Sequence, residues 1–302
     1  MSENIIAIYG PKGGVGKTSI SANLSIALAQ FNKEVIAVDL DLGGANLHVM
    51  LGIRDFDYSL DDFILKKISL LSEALISTNT KNLKVICGGS QLPSASNIAY
   101  AQKVKIIKHI AKLSSDIIVL DLAAGSSYNV VDFLFIATKG IIVTTPEITS
   151  LMNVYSAIKT AVFRLLGLFF KAKQNNALLD LLEKAKDFKA NPHLATMDGF
   201  FREAVKIDRD VALSASREIQ KLKPLIIINR AQTKSDANVG SILNNLTSQY
   251  LGITVNDTIV IPEDAEVGAA LKTMTPALIK NPRSSFSLAI KKLAMQLLNS
   301  NA

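Results

Sequence analysis

Nine consecutive residues, Gly10-Pro11-Lys12-Gly13-Gly14-Val15-Gly16-Lys17-Thr18, follow the phosphate-loop pattern G-x-x-x-x-G-K-T with its first glycine displaced by one residue, to Gly10, and Pro11 in its place, and such a glycine-rich loop suits the wrapping of a backbone around phosphate groups. The glycines allow successive amide N–H groups to turn inward, and Lys17 supplies a charge to the outer phosphates. The Thr18 hydroxyl suits a Mg2+ ion, and Ser19 offers a second hydroxyl to an inner phosphate. Lys12 stands at the opposite end of the loop from Lys17, so it does not read as a second ligand of the same phosphates and needs its own explanation.

Carboxylates recur where such a centre would need them. Asp39 and Asp41 are two residues apart at the end of an apolar run, a spacing that projects both to one side of an extended chain. Asp41 is the candidate to orient an attacking water and Asp39 to serve the Mg2+ water shell; the bland alternative is a pair of turn aspartates. Asp121 ends another buried run and suits a Walker-B carboxylate that holds Mg2+, while Gly125 beyond it would offer its N–H to a γ-phosphate in a switch loop. Asn229-Arg230 and Pro262-Glu263-Asp264 close two later runs. An amide can read the edge of adenine, and a guanidinium can stack on a base.

These groups require a scaffold that gathers strand ends. Short β-branched runs at Ile5–Ile8, Val35–Val38, Leu83–Cys87, Ile117–Leu120, Gly140–Thr144, Leu225–Ile228 and Thr258–Ile261 alternate with helical patterns, the first from Thr18 to Gln30. Continuous apolar strands predict a sheet covered by helices on both faces: a doubly wound, mostly parallel α/β fold of the P-loop type, with ligands at the carboxyl ends of the strands. Residues 171–223 break the alternation and read as a helical insertion within a single 1–302 domain, with Asn191-Pro192 as a helix start. The charges of the insertion read as a solvated face, with a partner-docking surface as the sharper alternative.

The composition, 302 residues with 49% hydrophobic and 20% charged, predicts a well-filled core. The most apolar stretch, Leu151–Phe170, is broken by Lys159 and Arg164, which argues against a bilayer span, and a strand begins too early for a signal peptide. A cytoplasmic protein is expected. One cysteine, Cys87, excludes an internal disulfide or a multi-cysteine metal site within one chain, and His48, His109 and His193 lack metal-ligand spacing. A net charge of +7 leans toward an anionic partner.

Lys12 through Thr18, the Asp39/Asp41 segment, Asp121-x-x-Ala-Gly and the Ile261-Pro262-Glu263-Asp264 turn together resemble the MinD/ParA ATPases, whose Walker A loop is called deviant for its extra lysine. The resemblance implies an ATP-dependent homodimer in which two subunits enclose two ATP molecules. It implies that Lys12 reaches the partner's nucleotide, Lys17 serves its own, and Asn46 lies near the facing subunit. Slow, Mg2+-dependent ATP hydrolysis stimulated by an activating protein partner would then time the dimer. Ala123 departs from the pattern, since the family places proline there. Asp41-Leu42-Gly43-Gly44-Ala45-Asn46-Leu47 and Thr145-Pro146-Glu147 are most similar to the flagellar-number branch, FlhG and FleN.

The output implied is control of the placement or number of a cellular structure, with flagella first. Two alternatives stand beside it. A ParA-like partitioning ATPase would bind DNA through residues such as Lys184, Lys186, Lys189, Arg202 and Arg209; a MinD-like regulator would sit peripherally on the inner face of the membrane through a C-terminal helix. In that helix Phe286, Ile290, Leu293 and Leu297 share one face beside Lys291 and Lys292, a pattern read first as packing on the sheet. Relatives that hold iron-sulfur clusters need cysteines that Cys87 alone does not supply.

Overall fold

The structure, a computed structural model, describes residues 4–89, 98–255 and 257–299. Its centre is an eight-stranded sheet in the order β3-β4-β2-β5-β1-β6-β7-β8. The strands are β1 (Ile5–Tyr9), β2 (Val35–Leu40), β3 (Leu75–Ser77), β4 (Leu83–Ile86), β5 (Ile117–Leu122), β6 (Lys139–Thr144), β7 (Leu225–Ala231) and β8 (Asp257–Pro262). All neighbours pair in parallel except β3, which runs antiparallel to β4 at one edge. The seven runs expected to be strands all are strands; β3 was not anticipated. Three residues, partly exposed, give no apolar run long enough to read.

Every residue of β1, β2 and β5 is buried, as expected for strands covered on both faces. One face packs Ile118, Leu120 and Ile142 beneath the helix Ile148–Ala172; the other packs Ile8, Ala37 and Val119 beneath the helices Lys17–Gln30 and Ser285–Asn299. The order of the strands puts β1 between β5 and β6, so the loops after β1, β2, β5 and β6 converge at one edge of the sheet.

Within 171–223 lie the helices Asn176–Lys186, Met197–Ile207 and Arg209–Gln220. Each has a side-chain cap: Asn175, Thr196 and Asp208 accept the N–H groups of Leu178, Gly199 and Val211. Leu178, Phe200, Ala212 and Ile219 join the same apolar cluster as the sheet, and Phe200 lies against Phe170 with ring centres 6.3 Å apart. These helices therefore extend the roof over one face.

The apolar face of the helix Ser285–Asn299 is spent on packing: Phe286, Ile290, Leu293 and Leu297 are all buried. Asn23 strengthens this side by accepting the Leu278 N–H at 2.9 Å from within the helix Lys17–Gln30. Among the described residues, no helix is long and apolar enough to cross a membrane.

Candidate functional site

The phosphate loop joins β1 to the helix Lys17–Gln30, and Gly14 and Gly16 take positive φ angles of 78° and 96°. Only glycine takes such angles freely. A Cβ on Gly10 would fall 2.7 Å from both Lys17 Cγ and Val15 Cγ2, so the loop wraps tightly around the buried Lys17 stem. On Gly13 and Gly14 a Cβ would meet nothing within 4 Å; that side is open. A tight ring of backbone on one side and open space on the other, at a helix N-terminus, is a cradle for an anion.

Behind the cradle lie the carboxylates. Asp39 and Asp121 are partners across β2 and β5, and both are buried. Asp39 accepts the N–H of Asp41 on Oδ1 and that of Leu47 on Oδ2, each at 3.0 Å. Asp39 thus anchors the 41–47 loop from behind the cradle. Burial, then the charge of Asp121, pushes its carboxyl up to about 7. Asp121 accepts the Ser21 hydroxyl at 2.8 Å and is also hydrogen-bonded by Thr18; burial raises it to about 6 against the opposing pull of Thr18, Lys17 and Ser21. Two carboxylates held against their own repulsion beside a threonine hydroxyl are a donor set that fits a Mg2+ ion. Asp41 is partly exposed at the same edge and close enough to raise both neighbours.

The loop after β5 is fastened to the cradle. Gly125, at φ 99°, donates its N–H to the Pro11 carbonyl at 3.2 Å, and its own carbonyl accepts the buried Tyr9 hydroxyl at 2.6 Å. The amide expected to face a γ-phosphate is thus engaged with the loop itself. On the other side Lys12 turns outward: its Nζ lies 2.5 Å from Glu147 Oε2 and 3.4 Å from Thr149 Oγ1, where the helix Ile148–Ala172 begins. Lys12 draws the Glu147 carboxyl below its usual range, and Arg230 adds to the effect.

The residues expected at the base divide. Asn229 is buried and donates Nδ2–H to the Val15 carbonyl at 2.8 Å, so part of its amide braces the cradle. Arg230 is exposed at φ 57°, within the irregular pairing of β7 and β8 between Ile228 and Ala231. Pro262 pairs with Ala231, and Glu263 accepts a hydrogen bond from Gln232. Asp264 departs from the group. Its oxygens accept the N–H groups of Glu266 and Phe286 and the Ser285 hydroxyl, so it caps one helix and pins the start of another.

Sequence reasoning assigned no role to Ser21, Tyr9 or Glu147. Ser21 follows Thr18 by three residues and so shares its helix face, a readable signal. Glu147 follows β6 at the edge where ligands gather. Tyr9 gave no signal, because its partner is 116 residues away.

Comparison with known proteins adds three relatives. A family model described as "ParA: NUBPL iron-transfer P-loop NTPase" matches residues 1–168. The antiactivator FleN of Pseudomonas aeruginosa is 26% identical over 296 residues, covering 97% of this chain and 85% of that protein. The septum site-determining protein MinD of Helicobacter pylori is 36% identical over 151 residues, 49% of this chain and 55% of that one, so that match spans about half of each. The structure of MinD from Pyrococcus horikoshii, complexed with Mg-ADP, superposes with a TM-score of 0.65 at 24% identity, covering 97% of this chain and 95% of that one; this likeness is one of fold.

Proposed function

Because the chain belongs to the ParA/MinD family of P-loop NTPases, we propose that it is an ATP-driven dimerisation switch that sets the placement or number of a cellular structure, flagella first. One observation carries this reading. Lys12 leaves the cradle and pairs with Glu147 at the surface, with 38% of its side chain exposed, and Lys17 stays buried under the phosphates' place. A lysine aimed outward from a phosphate loop can offset charge on a facing nucleotide, which couples ATP occupancy to association.

In this reading the loop from Gly10 to Ser19 holds the ATP phosphates. Thr18 and Asp121 would hold Mg2+, with Asp39 serving its water shell; the ion would supply positive charge to the phosphates, and Asp41 would orient the attacking water. The Mg-ADP complex of the archaeal MinD relative supports the choice of ligand. The match with FleN over nearly the whole chain supports the flagellar output over the septum-site one.

DNA and membrane outputs draw less support. Lys186 and Arg202 pair with Glu183 and Asp198 on their own helices, which dilutes a basic patch, and the apolar face of the last helix is buried. Pelleting with anionic liposomes and DNA binding at low salt, each with and without ATP, distinguish these outputs. Iron transfer, named in the family description, finds little footing: Cys87 is fully buried, and burial pushes its thiol up to about 12. Among the described residues no group of three or more His, Cys, Asp or Glu is arranged to hold a metal.

Mass measurement by light scattering tests the switch. With ATP, wild type is expected to dimerise, Asp41→Ala to accumulate as dimer, and Lys12→Ala to remain monomeric. Equal masses with and without ATP in all three overturn the reading.

A further inference from the structure

A second cavity lies at the other edge of the sheet. It holds about 420 Å³ between the sheet and the helix Ile148–Ala172, and opens where β6 and β7 begin, lined there by Lys139, Gly140, Pro224 and Leu225. The phosphate cradle sits at the opposite, carboxyl edge of the same strands. The void follows from small residues: Ala157 and Ala161 stand one turn apart on the helix, and a Cβ on Gly140 would meet nothing within 4 Å.

Its chemistry has two parts. The walls are apolar, built from Tyr9, Ile142, Ile158 and Leu134, and Lys139, Lys221 and Lys223 contribute the charge of the lining. Lys139 donates to the Leu297 carbonyl at 2.9 Å, and Lys221 is paired with Glu218 at 2.7 Å, so the local balance stays positive. An apolar chamber with cationic groups selects a ligand with an alkyl body and an anionic head. The volume is roughly three times that of an engineered cavity that holds benzene, which suits one medium-length chain and excludes a two-chain lipid.

One wall reaches the switch loop. The Tyr9 ring lines the chamber and its hydroxyl holds the Gly125 carbonyl at 2.6 Å, so a ligand pressing on the ring acts on a residue that also donates to Pro11 in the phosphate loop. We propose that this cavity binds a single-chain alkyl carboxylate and that Tyr9 relays its occupancy to the loop around Gly125. That the relay governs ATP turnover rests on the function proposed above; the binding does not.

Titration calorimetry with decanoate, and with decylamine as the charge-reversed probe, tests the site. One decanoate per chain is expected to bind, and decylamine more weakly. Gly140→Leu fills the chamber from its floor and is expected to abolish decanoate binding with no loss of thermal stability. Lys223→Glu, an exposed change, should weaken decanoate about fivefold and strengthen decylamine. Hydrogen exchange at residues 123–127 reads the relay without ATP: decanoate should change protection there in wild type and leave it unchanged in Tyr9→Phe, which still binds. Absence of saturable binding, or undiminished binding by Gly140→Leu, overturns the site. Binding with no change in exchange at 123–127 overturns the relay alone, and a protein that binds decanoate yet never hydrolyses ATP refutes the switch and leaves the site standing.

Discussion

Lys12 Nζ lies 2.5 Å from Glu147 Oε2, an ion pair that joins residues 135 apart in sequence and ties the phosphate loop after β1 to the helix after β6. Both side chains are well exposed, so solvent screens the pair and its contribution to stability is small. Its effect falls on where the lysine points. Glu147→Gln is expected to leave the melting temperature nearly unchanged and to lower the protein concentration at which ATP produces dimer, as read by sedimentation velocity. An unchanged midpoint removes Glu147 from the control of Lys12.

Asp39 and Asp121 give a pH dependence with a definite sign. Both carboxyls are raised above the ordinary carboxylate value, to about 7 and about 6. The folded protein therefore holds their protons more tightly than the unfolded chain does. This contribution to stability is full below the unfolded value near 4 and is lost as pH rises through 6 to 7. Without Mg2+, the melting temperature should fall across that window; with Mg2+ and ATP, the gain in melting temperature should be larger at pH 8 than at pH 5.5. A gain that does not vary with pH means the two carboxylates carry no strain that a cation relieves.

Asp132 is the single anion between two cations: it pairs with Lys103 and accepts Arg164 through both oxygens at 2.8 Å. Lys103 is 3% exposed, so removal of Asp132 leaves a buried charge without its counter-charge, held by the Asn129 amide oxygen at 3.2 Å. Asp132→Ala is expected to cost about 3–5 kcal/mol in urea denaturation. A loss below about 1 kcal/mol means water enters the cluster and does the work of the carboxylate.

Gly16 tests the cradle. A Cβ there would fall 2.3 Å from Asn229 Nδ2 at a φ of 96°, so Gly16→Ala must displace either the loop or the amide. Strain of about 1–3 kcal/mol is expected, together with loss of binding of a fluorescent ATP analogue. Asn229→Ala in the same background should restore part of that binding by removing the clash.

The β-branched runs were enough to locate seven strands, because strands buried on both faces need apolar residues throughout. β3 escaped because an edge strand of three residues has one neighbour and partial exposure, and so little constraint on its composition. The phosphate loop was legible for a local reason: its glycines serve its own backbone geometry. Asp39 and Asp264 were placed at the correct strand ends, but their roles depend on which amides the folded chain brings to them. For Asp264 that amide comes from Phe286, which no spacing reveals. The link from Tyr9 to Gly125 is hidden for the same reason.

The helix that carries Lys17 is backed by residues near the other end of the chain: Asn23 holds the Leu278 amide, and Phe286, Ile290 and Leu293 fill the space behind it. During synthesis the ribosome must deliver about 250 more residues after that helix before its seat exists, a delay of roughly 10 to 50 s at ordinary elongation rates. A half-made chain consequently lacks the packing that seats the helix behind Lys17, so the phosphate loop gains its support only when translation is nearly done.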